Sequence, residues 1–133
     1  MGGETDVTEA FIWQITNCNG GDFLVLRVDG TDAYNSWIYD ISIDIGHPLN
    51  RYSLTHSLTY LLTYSFIKYC ASVRTISFHK QSAAKNSKVL ELIQNSEAIF
   101  FSGGDQYYYM EWWRDTEVQS IIQSKVNDIT IGS

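Results

Sequence analysis

Residues 98–106 read Ala98-Ile99-Phe100-Phe101-Ser102-Gly103-Gly104-Asp105-Gln106. Four apolar residues in a row are typical of a strand covered on both faces, as in a parallel sheet. The two glycines that follow allow a sharp turn and a close approach of the backbone to a ligand. Because ligands of open α/β sheets bind beyond the carboxyl ends of strands, Asp105 and Gln106 are candidate binding residues. An ordinary strand-to-helix turn, in which Asp105 caps the next helix, explains the same pattern.

The rest of the chain alternates between helical and strand patterns. This alternation predicts an α/β fold, a three-layer, doubly wound and mostly parallel sheet with right-handed crossovers. The aromatic run at 107–113 is interpreted as packing of a helix onto that sheet. Further strands are predicted at 23–26, 73–78 and 129–131. Helices are predicted to begin at Asp6, at Asn86 or Ser87, and at Thr116, and a short one to cover 34–40. Thr116 and Gln119 have the spacing of a capping box.

One stretch, residues 42–69, breaks this alternation. It holds the only proline, Pro48, and a run rich in Ser, Thr, Leu and Tyr. That run has too many hydroxyl groups for a membrane span, which needs ~20 mostly apolar residues. No Asp or Glu lies between Asp44 and Glu91, so this part of the chain differs in charge from the remaining sequence. The chain is therefore interpreted as a single α/β domain, 1–133, with an insertion at about 42–69.

The composition narrows the classes of partner. The chain is 44% hydrophobic and 18% charged, which is typical of a globular domain, and its net charge of −6 argues against nucleic acid. No membrane partner is predicted, and the absence of a signal-peptide pattern leaves the compartment open, with the cytoplasm as the default. Cys18 and Cys70 form no metal-binding motif, so neither a metal nor a cofactor is predicted. Buried thiols are favoured for them, and a disulfide stays open.

Four blocks of sequence together carry a family resemblance. They are Gly2 to Phe11, Gly20 to Arg27, Gly30 to Asn35 and Ala98 to Gln106. In this order they resemble the cyanophycinase-like serine peptidases, which are related to dipeptidase E and share the class I glutamine amidotransferase-like α/β fold. The resemblance covers most of the chain apart from about 42–69.

The resemblance implies hydrolysis of a peptide or amide bond through an acyl-enzyme, without a cofactor. Serine hydrolases of this kind need backbone N–H donors where the oxyanion develops. The matching positions are Gln106 and Asp105 for substrate binding, the backbone of Gly104 and Asp105 for the oxyanion, and Gly2, Gly3, Asp29 and Gly30 for the pocket rim.

The family pattern also places essential parts outside this chain. Its first strand would precede Gly2, while its nucleophile elbow would begin at Gly132 and its histidine base would follow later. We therefore expect this chain to be the N-terminal part of such a peptidase, to lack the first strand and everything after 129–131, and to be inactive alone. Ser133 is rejected as a nucleophile because the elbow needs residues after it.

His47, His56 and His79 match no family histidine, and a surface or loop role is expected for each. The alternative function is a non-catalytic α/β binding or interaction module that keeps the glycine-lined pocket without a nucleophile. Absence of a first strand would leave backbone groups of a neighbouring strand unpaired, and such an edge favours self-association.

Overall fold

The computed structural model describes residues 8–28, 34–38, 40 and 70–133. Its elements are α1 (Thr8–Asn17), β1 (Gly21–Arg27), β2 (Cys70–Ser77), a 3₁₀ helix (Gln81–Lys85), α2 (Ser87–Asn95), β3 (Ala98–Phe101), α3 (Gln106–Trp113), α4 (Glu117–Lys125) and β4 (Thr130–Gly132). Residues 34–38 are also helical.

The four strands form one sheet in the order β2-β1-β3-β4, and every pair is parallel. The predicted α/β fold with a parallel sheet is thereby confirmed. The proposed insertion at about 42–69 lies outside the described residues. Among the described residues, the outer edges of β2 and β4 have no strand partner, so self-association through a free edge stays a prediction.

Alternation of side chains along β1 divides the core into two halves. Phe23 and Val25 face one side of the sheet and Leu24 and Leu26 the other, and each is at most 2% exposed. On the first side they pack with Phe11 and Ile15 of α1 and with Ile38, and on the second with Ile93, Trp113 and Val118 from α2, α3 and α4. Helices thus cover both faces, which gives the three predicted layers.

A buried glutamine fastens α1 to the sheet. Gln14 is 2% exposed, and its Nε2 donates to the carbonyl oxygens of Ile99 at 2.6 Å and Thr130 at 3.3 Å. A buried amide needs such partners, because leaving it unpaired costs about 1–3 kcal/mol. Gln14 therefore fixes α1 across both β3 and β4.

The start of α2 follows the predicted capping, whereas the start of α4 does not. Asn86 Oδ1 accepts from the backbone N–H groups of Lys88 and Val89 at 2.9 and 3.3 Å, as an N-cap should. Thr116 was expected to cap α4 in the same way, but its hydroxyl instead donates to the carbonyl of Trp113 at 2.6 Å. The capping box predicted there is wrong, because both the hydroxyl and the N–H of Thr116 donate to the carbonyl of Trp113 in the preceding turn.

Among the described residues, no helix is both long enough and apolar enough to cross a membrane.

Candidate functional site

The candidate site lies where the direction of winding of the sheet reverses. The chain passes from β1 outward to β2, and then crosses to β3 on the other side of β1. In open parallel sheets the carboxyl ends of strands at such a reversal border a crevice that binds ligands. β3 ends there at Phe101, and the turn Ser102–Gly104 follows. The N–H of Ser102 donates to the carbonyl of Leu26 at 3.0 Å, which holds the turn against the end of β1.

A cleft of about 1260 Å³ opens at this edge of the sheet. Its volume exceeds the ~300–1,000 Å³ typical of small-molecule sites, so it has room for an extended ligand. The lining residues come from the end of β3 with its turn, α3, the turn between α3 and α4, and α4, together with Tyr34 and Ser133. Those with polar side-chain groups are Tyr34, Ser102, Gln106, Tyr109, Trp113, Arg114, Asp115, Gln119, Gln123 and Ser133.

Tyr109 clamps the glycine turn to α3. Its hydroxyl donates to the carbonyl of Ser102 at 2.5 Å, and its ring packs edge-on against Trp113 with centroids 4.7 Å apart. Trp113 in turn packs against Phe78, at 5.0 Å, in the core beneath. The turn is therefore connected to the hydrophobic core through two aromatic side chains.

Burial raises the pKa of the half-buried Tyr109 hydroxyl above its ordinary value. We expect Tyr109→Phe to destabilise the protein by about 1–2 kcal/mol at neutral pH, because the buried carbonyl of Ser102 loses a donor. The raised pKa means that the unfolded chain releases this proton first, so stability falls as pH rises above about 10. In Tyr109→Phe, the part of the stability loss at alkaline pH that comes from the Tyr109 hydroxyl should be absent.

Urea unfolding at neutral and at alkaline pH measures both effects. Tyr108→Phe is the matched control, since Tyr108 lies on the same helix with 42% of its surface exposed. An alkaline loss of stability equal in the wild type and in Tyr109→Phe would contradict the clamp.

The predicted site residues of β3 and its turn have different positions in the structure. Gln106 and Gly104 line the cleft. The Asp105 carboxylate accepts from the N–H of Tyr107 at 2.9 Å and caps α3, which is the structural alternative given by the sequence. Roles of Asp105 in substrate binding, and of the Gly104 and Asp105 backbone as oxyanion donors, stay predictions. The rim residues Gly2, Gly3, Asp29 and Gly30 lie outside the described residues.

The described residues bring no serine and histidine together at this cleft. Ser133 lines it, because the register that pairs Phe100 with Gly132 places Ser133 at the same edge as Phe101. His79, the histidine within the described ranges, is exposed and is not part of the lining. Nor does that part of the chain hold a group of three or more His, Cys, Asp or Glu side chains able to bind a metal ion.

Sequence reasoning missed one wall of the cleft. Gln119, Ile122 and Gln123 reach it from α4, and nothing local in the sequence says that α4 packs beside α3 at this edge. The sequence predicts Gln119 only as the capping-box partner of Thr116, whereas its Oε1 accepts from the N–H of Asp115 at 2.8 Å. The clamp role of Tyr109 was also missed, since an aromatic run predicts packing but not which hydroxyl meets a carbonyl.

No model of a known protein family matches the chain, and no curated protein sequence matches it. What is established is an α/β fold with four parallel strands flanked by helices. Any closer relationship, including one to cyanophycinase-like peptidases, is a proposal.

Proposed function

We propose that the cleft binds a peptide or amide substrate, and that the chain is the N-terminal part of a cyanophycinase-like serine peptidase. The observation that carries the proposal is the position of the Ser102–Gly104 turn. This turn directly follows β3, an interior strand that pairs in parallel with β1 and β4, at the point where the winding of the sheet reverses. The sequence blocks that resemble the family support the same assignment.

The chemistry of the wall supports an amide ligand. Gln106 and Gln123 each offer a donor and an acceptor, which match the C=O and N–H of a peptide group, and Gln119, whose Oε1 accepts from the N–H of Asp115, adds a donor. Apolar surface from Phe101, Ile122 and Trp113 adds burial for side chains of the ligand. Acyl transfer itself would require a nucleophile and a histidine base, which the resemblance places after Gly132.

Binding is tested with an N-acetylated, C-terminally amidated dipeptide and NMR of the ¹⁵N-labelled chain. We expect saturable shifts of the backbone amides of Gly103, Gly104 and Gln106. Gln106→Ala should weaken binding roughly tenfold, the worth of one well-placed hydrogen bond. Gln94→Ala is the matched control, because Gln94 is an exposed glutamine at the end of α2 and lies away from the cleft.

Shifts that do not saturate, or that appear equally at the amino ends of the strands, would contradict the proposal. A fluorophosphonate should meanwhile label no residue of this chain, because Ser133 has no histidine base beside it among the described residues. Labelling of Ser133 would overturn the assignment of the nucleophile to a later position.

The alternative function is a binding or interaction module that keeps the cleft and has no catalytic step. The polar and apolar lining of the cleft suits such a module equally well. The coding sequence after Ser133 separates the two functions: a continuation resembling Thr-Ser-Ala-Gly favours the peptidase, and a stop codon favours the module.

A further inference from the structure

Cys18 and Cys70 form a buried dithiol pair at the amino ends of the strands, at the opposite edge from the cleft. Each side chain is 1% exposed, and both cysteines are in the reduced thiol form. They belong to the same half of the core, together with Phe23 and Ala98. The register of β1 with β2 and the turn before β1 bring both residues to Gly21, and the effect of Cys70 on the pKa of the Cys18 thiol agrees with that proximity.

The backbone explains why two cysteines so far apart in sequence meet. Cys18 follows the last residue of α1, and its carbonyl accepts from the N–H of Gly21 at 2.9 Å in a tight turn. Gly21 opens β1 and is the register partner of Cys70, which opens β2. The turn and the strand pairing, which meet at Gly21, together bring the two cysteines close to each other.

We propose that Cys18 and Cys70 are a redox modification site that closes to an intramolecular disulfide in the presence of a low-molecular-weight disulfide such as glutathione disulfide. The thiolate of one cysteine attacks glutathione disulfide, forms a mixed disulfide and releases one glutathione. The other cysteine then attacks the protein sulfur of that bond and releases the second glutathione. The two protein thiols lose two electrons and two protons, and glutathione disulfide becomes two glutathione thiols.

The surroundings make this site slow to react and stable once closed. The hydrogen bond to Cys70 and burial raise the pKa of the Cys18 thiol, with the charge of Glu97 adding to the effect, so the reactive thiolate is scarce at neutral pH. Reaction then proceeds through local opening of the amino edge, and reclosure shields the disulfide from reduction. The bond would join the end of α1 to the start of β2.

The disulfide is expected to stabilise the folded protein to an extent that depends on the number of residues it encloses. A disulfide between Cys18 and Cys70 would close residues 19–69 into a loop, and removal of that freedom from the unfolded chain is expected to raise Tm by roughly 10 °C. Peptide binding at the opposite edge should remain unchanged, so the outcome does not depend on the proposed function.

The test incubates the full chain with glutathione disulfide in mild urea, followed by intact mass measurement and a non-reducing peptide map. We expect loss of two hydrogen atoms, one cross-linked peptide containing Cys18 and Cys70, and a higher Tm that dithiothreitol reverses when it is added in the same mild urea. Cys18→Ala and Cys70→Ala should each gain at most one glutathione and no cross-link.

Three results would overturn the proposal: two glutathiones on one chain without an internal bond, a disulfide between two chains, or unchanged thiols after prolonged oxidation. The mass readout on the wild-type chain does not require either variant to fold.

Discussion

Phe11→Ala is expected to destabilise the protein by about 3–5 kcal/mol, the range for removing a fully buried phenylalanine. Phe11 is 0% exposed and joins α1 to the strand that carries the glycine turn. Its ring centroid lies 4.6 Å from that of Phe100 and 4.8 Å from that of Trp37, with Tyr34 at 6.1 Å. Alanine therefore leaves a cavity at the centre of an aromatic cluster that cannot collapse onto it easily.

The same helix provides the control. Trp13 is two residues away and 60% exposed, so Trp13→Ala should change stability by no more than about 0.5 kcal/mol. Phe11→Leu keeps most of the buried volume and should cost less than about 1.5 kcal/mol. Urea unfolding followed by circular dichroism measures all three. Similar losses for Phe11→Ala and Trp13→Ala would show that α1 does not pack on the sheet through Phe11.

The two interior strands, β1 and β3, could be located from sequence because each contains a short apolar run bounded by polar residues. The strand predicted at 98–101 is the observed Ala98–Phe101, and the one predicted at 23–26 forms the interior of Gly21–Arg27. Burial on both faces removes the polar alternation of an exposed strand, so the apolar run itself is the signal. The order of the strands in the sheet, by contrast, depends on contacts between distant segments.

Polar groups buried by the tertiary structure were not predictable. Gln14 lies among helical residues and gives no local sign that its amide reaches β3 and β4. Lys125 reads as an ordinary exposed lysine at the end of a helix, yet its ammonium donates to the carbonyl of Gln94 at 2.5 Å. Burial lowers the pKa of this lysine. Such contacts arise only when α2 and α4 are packed side by side.

The residues of the candidate site that directly follow β3 could be predicted from the sequence, but the residues that other helices bring to the cleft could not. Gly104 and Gln106 could be assigned to a ligand-binding edge because they follow a buried strand, and both line the cleft. The aromatic run at 107–113 was interpreted as packing, which holds for Trp113, whereas Tyr107 is 61% and Met110 58% exposed. Sequence gives the period of a helix but not which of its faces the next helix leaves uncovered.

Gly104→Ala should both destabilise the protein and reduce ligand binding at the cleft. Gly104 has φ of +148°, a conformation that side-chain-bearing residues rarely adopt. A Cβ there would also lie 3.3 Å from Cγ2 of Val28 at the end of β1. The backbone strain alone is worth about 1–3 kcal/mol. Relief of the strain would shift the turn and the first residues of α3, so dipeptide binding should weaken at least as much as in Gln106→Ala.

Gly103→Ala is the matched control, because Gly103 and Gly104 are adjacent but differ in backbone conformation. A Cβ on Gly103 meets nothing within 4 Å, and its φ lies outside the left-handed region. The substitution should therefore change stability by no more than about 0.5 kcal/mol and leave the amide shifts on dipeptide addition intact. Urea unfolding and the NMR titration measure both variants. Equal behaviour of the two alanines would mean that the turn does not require its glycine conformation, and the binding edge would then have to be sought elsewhere on the sheet.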